Sequence, residues 1–323
     1  MVNNEVLLIQ HDVISSLSIA PSQCVRWVEE SFGLKYEAVL PAKSSIHPQG
    51  DDFFNTMPAL LPSSYGRFGV KEVHRIEGQT PALGSDLMLY DSNTGCLLAI
   101  MDADWITAMR TGAVAALSYR LFAATGATNI GFMGLGNTAR ATALCILDDN
   151  PGKHFTFTLL RYKDQAEGFA NRLEKYSNVD FNIVDSIEEV LASAQVLVSC
   201  ITSASGLICD DDSKFREGML LIPVHTRGFQ NCDLFFDKVF GDDTAHICGF
   251  KYFDRFKQFD ELSRVLLGKV PGRESDKERI LCYNIGLGIH DVVYASKIYD
   301  MVADNGIQVE KFIQKKETSK IWI

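Results

Sequence analysis

The sequence predicts an α/β protein with two domains, one of which is built on a doubly wound parallel sheet. Three observations predict this fold class. From Asn129 onward, apolar runs alternate with helix-like segments, the pattern of strands and helices that form a parallel sheet. Residues 195–201 and 219–224 are continuously apolar, as strands buried on both faces are. The 323 residues are enough for two domains of ordinary size.

The composition argues against several classes of protein. A net charge of −10 disfavours a surface for nucleic acid or anionic membranes, because both bind clustered positive charge. No apolar run reaches the roughly 18 residues of a membrane span, and no basic segment leads into an apolar core as in a secretory signal. The eight cysteines include no Cys-x-x-Cys pair, and no His or Cys cluster has metal-ligand spacing. We therefore expect a cytoplasmic protein with reduced cysteines and no metal.

The first hundred residues predict a mixture of helix and strand. Residues 21–32 have a helical pattern, and residues 69–76 are extended. Residues 86–90 and 96–101 predict a hairpin, since the Asp-Ser-Asn-Thr-Gly segment between them has turn chemistry.

The second half of the chain continues the alternating pattern. Residues 154–160 and 179–184 predict strands. Ser186 followed by Glu189 has the form of a capping box that opens a helix. Residues 286–306 are again helical in pattern.

The most informative motif lies between a predicted strand and a predicted helix. The run Ile-Gly-Phe-Met-Gly-Leu-Gly-Asn-Thr-Ala ends in Gly-x-Gly-x-x-Ala. Gly134 permits a tight turn, Gly136 lets the backbone approach a pyrophosphate, and the small Ala139 lets the helix pack against the strand. Asn137 and Thr138 begin the helix, where N–H groups and the helix dipole bind anions. The motif predicts a Rossmann dinucleotide-binding domain, and a purely structural strand-helix-strand unit is the alternative.

One arginine falls on the apolar side of a predicted helix. This helix is expected from residue 105 to about residue 124, with Asp104 as its N-cap. Arg110 lies four residues after Ile106 and three before Ala113, so it shares their apolar stripe. A buried guanidinium needs an anion, either an internal carboxylate or a ligand. A side chain that snorkels to the surface is a further alternative.

Several short motifs together resemble the ornithine cyclodeaminase/μ-crystallin family. Met-Pro-Ala, Gly-Val-Lys, the Asp-Ser-Asn-Thr-Gly turn and Thr-Ala-Met-Arg-Thr-Gly-Ala precede the glycine-rich turn in this order, and Gly-Lys and Pro-Gly-Arg follow near the end. They lie at residues 57–59, 69–71, 91–95, 107–113, 268–269 and 271–273. The resemblance extends from about Lys43 to Gly306.

The resemblance implies a domain organisation and an assembly. It places a Rossmann dinucleotide-binding domain at residues 106–289, and a substrate-binding and dimerisation domain of α+β type at residues 1–105 and 290–323. It also implies a homodimer. Members of this family include cyclodeaminases, amino-acid dehydrogenases, imino-acid or ketimine reductases, and a hormone-binding protein.

The resemblance further implies roles for individual residues. Lys43, Lys71 and Arg110 match the basic groups that hold the substrate carboxylate, with an arginine more usual at the first position. Asp291 matches an acid near the nicotinamide side of the cleft, which makes it and Lys71 candidate catalytic residues. The alternatives are exposed lysines for Lys43 and Lys71 and a helix N-terminal charge for Asp291. Thr202 and Ser203 match residues that line the nicotinamide ribose.

The end of the second Rossmann strand indicates the cofactor. An NAD enzyme usually has Asp or Glu there to hold the ribose 2′-hydroxyl. This strand ends in Leu-Leu-Arg-Tyr-Lys, with no acid available, so Arg161 and Lys163 stand where a 2′-phosphate would lie. The resemblance also matches Arg161 to a 2′-phosphate contact in members that use NADPH. We expect NADP(H), with NAD(H) possible if Arg161 only caps the strand and stacks on adenine.

The segment at residues 223–234 departs from the cyclodeaminase pattern. The catalytic aspartate of cyclodeaminases aligns near Arg227, and no acid lies between Pro223 and Cys232. Cyclodeamination needs a base beside the side-chain amine, so this cationic loop favours an acidic or polar substrate. His225 could protonate the substrate nitrogen near neutral pH, and a loop histidine that bonds a backbone carbonyl is the alternative.

These features predict an NAD(P)H-dependent oxidoreductase of amino-acid metabolism that acts on the C–N bond of a small α-imino or α-amino acid. Its type would be an imine reductase or an amino-acid dehydrogenase, with a small carboxylate-bearing substrate and no nucleic-acid or membrane partner. Two other functions stay open. One is an ornithine cyclodeaminase-type lyase with bound NAD, and the other is a non-catalytic NADPH-dependent binding protein.

Overall fold

The computed structural model describes residues 2–202 and 204–321, and the chain divides into two compact units. The first unit comprises Met1–Ile19, Glu30–Thr107 and Leu287–Ile323, and the second comprises Ala20–Glu29 and Ala108–Gly286. The elements in chain order are β1 (Val2–Ile9), α1 (His11–Ser16), α2 (Pro21–Leu34), β2 (Ser44–Ile46), β3 (Phe53–Leu60), β4 (Arg67–Arg75), β5 (Leu83–Asp91), β6 (Leu97–Asp102), α3 (Asp104–Phe122), β7 (Asn129–Met133), α4 (Asn137–Asp149), β8 (Phe155–Leu160), α5 (Gln165–Arg172), β9 (Val179–Val184), α6 (Ile187–Ser193), β10 (Val196–Ser199), β11 (Leu220–Pro223), α7 (Cys232–Phe235), β12 (Lys238–Gly241), α8 (Thr244–Ile247), β13 (Phe259–Glu261), α9 (Leu262–Leu266), β14 (Ile280–Tyr283), α10 (Gly288–Asp304) and β15 (Glu310–Lys316).

The first unit is built on a largely antiparallel sheet. Among the described residues this sheet has seven strands, in the order β15-β1-β6-β5-β4-β3-β2. β1 and β6 pair in parallel, and all the other neighbours pair antiparallel. β5 and β6 form the predicted hairpin, in whose turn the Asp91 carboxylate accepts hydrogen bonds from the N–H groups of Asn93 (2.9 Å) and Thr94 (2.8 Å).

Strand β4 buries one face against helix α10. Gly69, Lys71 and Val73 alternate along the strand and are buried, whereas their neighbours are half-buried. A Cβ at Gly69 would lie 2.7 Å from a methyl group of Val292, so glycine allows the helix to approach this closely. The Lys71 side chain therefore lies on the buried face of the sheet.

The second unit has the predicted doubly wound parallel sheet. Within the described part of the chain this sheet has eight strands, in the order β13-β12-β14-β11-β10-β7-β8-β9, and all of them pair in parallel. From β7 the chain continues to β8 and β9 on one side, and then to β10 and β11 on the other. Ligands of such folds bind beyond the carboxyl ends of the strands where this order reverses. The predicted doubly wound Rossmann fold is confirmed.

Local predictions agree well with the observed elements. The capping box is confirmed, since the Ser186 side chain accepts from the N–H of Glu189 and the Glu189 carboxylate accepts from that of Ser186. All residues of β10 and β11 are buried, as their continuous apolar runs predict.

One prediction about α3 is wrong, and a second describes only part of the buried surface. Asp104 is not the N-cap, because it is the first helical residue and its carboxylate accepts a hydrogen bond from the N–H of Ser85 at 2.6 Å. The predicted apolar stripe is buried, and burial extends beyond it to every residue from Met109 to Tyr119. Small residues allow this, and a Cβ at Gly112 would lie 2.5 Å from the backbone nitrogen of Thr142.

The described residues contain neither a membrane-spanning helix nor a metal-binding cluster. Within residues 2–202 and 204–321, no helix combines the length and apolar character that crossing a membrane requires. Over the same residues, no cluster of three or more His, Cys, Asp or Glu is arranged to hold a metal ion.

Candidate active site

The glycine-rich turn joins β7 to α4 at the point where the strand order reverses. Gly134 has φ +71°, and a Cβ there would lie 2.6 Å from the carbonyl of Cys200, which follows β10. The Cβ position of Gly136 has no heavy atom within 4 Å, so the turn leaves open space in front of α4. Helix α4 begins at Asn137 without a side-chain cap, and its first N–H groups have no partner within the helix. This helix start fits a phosphate anion.

The residues after the turn agree with this fit. Ala139 is buried, whereas Asn137 is exposed and Thr138 is half-buried. A cavity of about 300 Å³ adjoins the turn, and the cations Arg140 and Arg172 line it. Its lining residues are Leu135, Gly136, Arg140, Asp164, Gln165, Gly168, Phe169 and Arg172. The donor groups and the open space together suit the pyrophosphate of a dinucleotide.

Arg161, at the carboxyl end of β8, is engaged by two carboxylates. Its Nε donates to Asp185 Oδ1 at 2.7 Å, and its Nη1 pairs with Glu167. The parallel register places Leu160 beside Val184, so the residues that follow each strand lie side by side. The expectation that no acid is available here is therefore wrong, because the acid that directly follows β9 and an acid in α5 both reach Arg161. Lys163 is exposed nearby, with φ +52°.

Lys71 and Asp291 form a fully buried ion pair in the first unit. Both side chains are 0% exposed, and Lys71 Nζ lies 2.7 Å from Asp291 Oδ1. Nζ also donates to Thr107 Oγ1 at 3.2 Å. The alternative of an exposed lysine is wrong for Lys71, because its alternation along β4 puts it on the buried face. Asp291 does lie in the first turn of α10, and it is in addition the counterion of a buried ammonium.

Arg110 is buried in the second unit, so the snorkelling alternative is wrong. Its guanidinium lies against Gly286, where φ is +91° and a Cβ would lie 2.9 Å from Arg110 Cζ. The Gly286 N–H donates to Oδ2 of the fully buried Asp242 at 2.6 Å. Gly286 thus contacts the guanidinium on one side and a buried carboxylate on the other.

His225 follows β11 and contacts the end of β10. Its Nε2 lies 2.7 Å from Oγ of Ser199, and its ring stacks on Phe229 with centroids 6.0 Å apart. Burial lowers the pKa of His225 to about 4, although a hydrogen bond with the Arg227 backbone opposes that shift. The imidazole is therefore neutral at pH 7.

The remaining expected residues lie in loops. Thr202 is exposed after β10, and Ser203 lies outside the described residues. Lys43 is half-buried just before β2. Ser44 pairs with Thr56, and Met57 pairs with Lys71, so extending this register by one residue places Lys43 opposite Met57. Two strand spacings, about 10 Å, would then separate the backbones of Lys43 and Lys71.

A cationic cavity of about 540 Å³ lies between the loops that follow β10 and β11. Arg227 and Lys251 both line it, and neither forms an ion pair with any residue that the structure describes. None of the described residues that line this cavity carries a carboxylate. The lining residues are Ala204, Ser205, Gly206, Leu207, Arg227, Gly228, Gln230, Asn231, Leu234, Lys251 and Tyr252. Such a cavity suits an anionic group.

The family model for the ornithine cyclodeaminase/mu-crystallin family matches residues 3–306. The chain belongs to the ornithine cyclodeaminase/mu-crystallin family. The resemblance seen in the sequence motifs is therefore confirmed over nearly the whole chain.

Relatives within the family have several functions. The nodulation efficiency protein NfeD of Rhizobium meliloti is 27% identical over 278 residues, which are 83% of this chain and 85% of that protein. The iminosuccinate reductase of Paracoccus denitrificans is 26% identical over 70% of this chain and 73% of the enzyme. The Thermococcus litoralis Δ1-pyrroline-2-carboxylate reductase, solved with NADH and L-proline, has a TM-score of 0.81 over 93% of this chain and 98% of its own, at 22% identity. This structural likeness establishes the shared fold.

Sequence reasoning missed several polar residues of these clusters. The sequence patterns include Thr107 only as the first residue of the motif at residues 107–113, and no pattern indicates a role for Ser85 or Asp242. For Asp242 a signal existed, because it directly follows the buried strand β12, and the carboxyl ends of parallel strands carry the ligand sites of this fold. For Ser85 no local signal exists, since its importance comes from its contact with Thr107.

Proposed function

We propose that the protein is an NAD(P)H-dependent oxidoreductase that reduces the C=N bond of a small α-imino acid, or oxidises the matching α-amino acid. The buried Lys71–Asp291 pair carries the proposal, because a buried ion pair contributes little net stability and buried charged pairs are frequent in functional sites. Both residues are those that the family resemblance assigns to the active site. Relatives that reduce iminosuccinate and pyrroline-2-carboxylate support the same reaction class.

Basic residues hold the substrate in this proposal. Arg110 and Lys43 bind its carboxylate, and Lys71 contacts both that carboxylate and the neighbouring nitrogen. Two of the three N–H groups of Lys71 donate to Asp291 and Thr107, and the third can be shared by the substrate carboxylate and nitrogen because these acceptors lie on adjacent carbons. A substrate fixed in this way presents its α-carbon in one orientation, to which a bound reduced nicotinamide supplies the hydride.

Lys71, rather than His225, donates the proton to nitrogen in this proposal. The lowered pKa of His225 leaves it without an imidazolium proton at pH 7, and its Nε2 is engaged with Ser199. Lys71 is a cation whose charge Asp291 stabilises. We assign His225 a supporting role in its neutral form, in which it holds the end of β10 beside the loop with Thr202.

The cofactor proposal is a nicotinamide nucleotide, with NADP(H) preferred. Arg161 and Lys163 provide two cations at the end of β8, where a 2′-phosphate would bind. The two carboxylates that pair with Arg161 are exposed, and exposed ion pairs are weak, so a phosphate can displace them. NAD(H) is the alternative, because Asp185 lies where its carboxylate could instead accept a hydrogen bond from a ribose hydroxyl.

The side chain of the substrate is proposed to be acidic. The cavity lined by Arg227 and Lys251 adjoins the loops that carry Thr202 and His225. Arg227 stands near the position at which a cyclodeaminase has the acid that its diamino substrate needs. An imino acid with a second carboxylate would neutralise these cations.

Steady-state kinetics test the reaction class. Net NADPH or NADH consumption with imino acids, or with oxo acids plus an amine, supports the reductase. Ammonia release from ornithine without net cofactor turnover supports the lyase instead. Tight binding of a small ligand without either activity supports the binding protein.

Assembly, compartment and domain roles rest on the resemblance and on composition. We propose a cytoplasmic homodimer in which residues 1–105 and 290–323 bind substrate and form the dimer, and residues 106–289 bind the nucleotide. Sedimentation analysis with and without NADPH tests the dimer.

A further inference from the structure

We propose that Thr107, Ser85 and Asp104 form a hydrogen-bonded chain that returns a proton to Lys71 after each reductive turnover. This inference rests on the proposed function, in which Lys71 protonates the substrate nitrogen. The three residues are positioning residues for proton transfer, since none of them is assigned a contact with substrate.

The chain is continuous over four side chains. Lys71 Nζ donates to Thr107 Oγ1 at 3.2 Å, and Thr107 Oγ1 lies 2.9 Å from Ser85 Oγ. Ser85 Oγ donates to Asp104 Oδ1 at 3.1 Å, while the Ser85 N–H donates to the same oxygen at 2.6 Å. Every step is within hydrogen-bond distance, so no water is needed to bridge a gap.

The two ends of the chain differ in their access to solvent. Lys71 is fully buried, Thr107 and Ser85 are buried, and Asp104 is half-buried. An ammonium with no exposed surface cannot take a proton directly from bulk water. The hydroxyl groups connect it to a carboxylate that solvent can reach.

The charge at the outer end suits a proton donor. Burial raises the pKa of Asp104, and the neighbouring carboxylate of Asp102 raises it further, while the two hydrogen bonds from Ser85 oppose this. A carboxyl group with a raised pKa holds its proton closer to neutral pH.

The transfer balances in protons and electrons. Hydride reaches the imine carbon, and the C=N double bond becomes CH–NH when the Lys71 ammonium gives one proton to nitrogen. Neutral Lys71 Nζ then takes the hydroxyl proton of Thr107, and Thr107 takes that of Ser85, whose hydroxyl turns from Asp104 Oδ1 to Thr107 Oγ1 for this step. Ser85 in turn takes the carboxyl proton of Asp104. Asp104 regains a proton from solvent, and the nicotinamide alone is oxidised.

A purely structural role would not require this arrangement. Asp291 already neutralises Lys71, so the buried charge is paired without the chain. A hydrogen bond to Asp104 would be enough to pair the buried Ser85 hydroxyl, yet this hydroxyl also lies within hydrogen-bond distance of Thr107 Oγ1.

Thr107→Val tests the chain, because valine keeps the shape and removes the hydroxyl. We expect kcat to fall about tenfold to a hundredfold with KM and nucleotide affinity unchanged, the range typical of lost acid–base assistance. Thr107→Ser should restore kcat, and formate or imidazole buffer should partly rescue Thr107→Val by supplying the proton. Ser296→Ala is the matched control, since it removes a buried hydroxyl of the same unit that bonds only within α10.

A second measurement needs no turnover. Carbon NMR of the unliganded protein, labelled at aspartate Cγ, follows the titration of Asp104. Ser85→Ala should raise the pKa of Asp104, because it removes the side-chain hydrogen bond that lowers this pKa, while the backbone N–H that also lowers it is retained.

The possible outcomes separate the two proposals. If the wild-type protein reduces imino acids but Thr107→Val keeps full kcat and its solvent isotope effect, the proton chain is overturned and the proposed function stands. If the wild-type protein reduces no imino acid, both proposals fail.

Discussion

Gly286→Ala gives the most direct test of the role proposed for Arg110. The new methyl group would lie against Nη1 and 2.9 Å from Cζ of Arg110. Carbon atoms in contact are about 3.5–4.0 Å apart, so the guanidinium must move by about 1 Å. A displacement of this size in a group that positions substrate costs about a hundredfold in rate.

The same substitution also strains the backbone. Gly286 has φ +91°, where an L residue costs about 1–2 kcal/mol. Gly126 has φ +71° and no atom within 4 Å of its Cβ position, so Gly126→Ala carries the strain without touching Arg110. It is the matched control.

The assays are steady-state kinetics with an imino acid, nucleotide binding by fluorescence, and thermal unfolding. We expect both variants to lose stability from the backbone strain, and Gly286→Ala to lose more because its methyl group overpacks against Arg110. Only Gly286→Ala should lose about a hundredfold in kcat/KM, which is about 2.7 kcal/mol of transition-state stabilisation. Nucleotide affinity should stay near that of the wild type in both. An unchanged kcat/KM in Gly286→Ala would mean that Arg110 does not hold the substrate.

Three further predictions concern the second unit. Arg161→Ala should weaken NADPH binding about tenfold or more while leaving NADH binding nearly unchanged, because only the phosphate needs the cation. Arg227→Gln should raise KM for imino acids with a second carboxylate about tenfold, and should not affect those without one. Asp233→Asn should stabilise the protein above pH 6. Burial raises the pKa of Asp233 to about 6 despite its hydrogen bond from Tyr283, so the contribution of Asp233 to stability is highest below pH 4 and is lost as the pH rises through 6. The difference in unfolding free energy between the two proteins should therefore grow over this window, by up to about 2–3 kcal/mol.

Each of these predictions has a control and a contradicting result. Arg264→Ala removes another exposed, ion-paired arginine and should leave both nucleotides unaffected. If Arg161→Ala lost equal affinity for NADPH and NADH, the basis for preferring NADP(H) would be removed. Arg255→Gln removes a cation outside the cavity and is the control for Arg227→Gln. If Arg227→Gln changed KM equally for imino acids with and without a second carboxylate, the acidic subsite would be refuted. A pH-independent stability difference for Asp233→Asn, in chemical denaturation at pH 4 and pH 7, would contradict the raised pKa.

Much of the fold could be predicted because its signals are local. The glycine-rich turn, the hairpin and the capping box each depend on a few neighbouring residues, and the structure has all three. The failure at Asp104 has the opposite cause. Its carboxylate would cap the helix if only local groups competed for it, but Ser85, brought in from β5, takes it instead.

The candidate site shows the same division. Lys71 was found from a motif, and its partner Asp291 was found separately, although nothing in the sequence indicated that the two form one pair. Arg161 was expected to face no acid, and the β8–β9 register brought Asp185 beside it.

The amino-acid sequence by itself determined the class of fold, the glycine-rich turn and the family, since each depends on short runs of adjacent residues. The tertiary structure alone decided which charges meet. Lys71 and Asp291 are separated by 220 positions, and their contact depends on strand alternation and on how closely α10 packs at Gly69. Electrostatic partners of this kind follow from packing distances, which local sequence patterns do not specify.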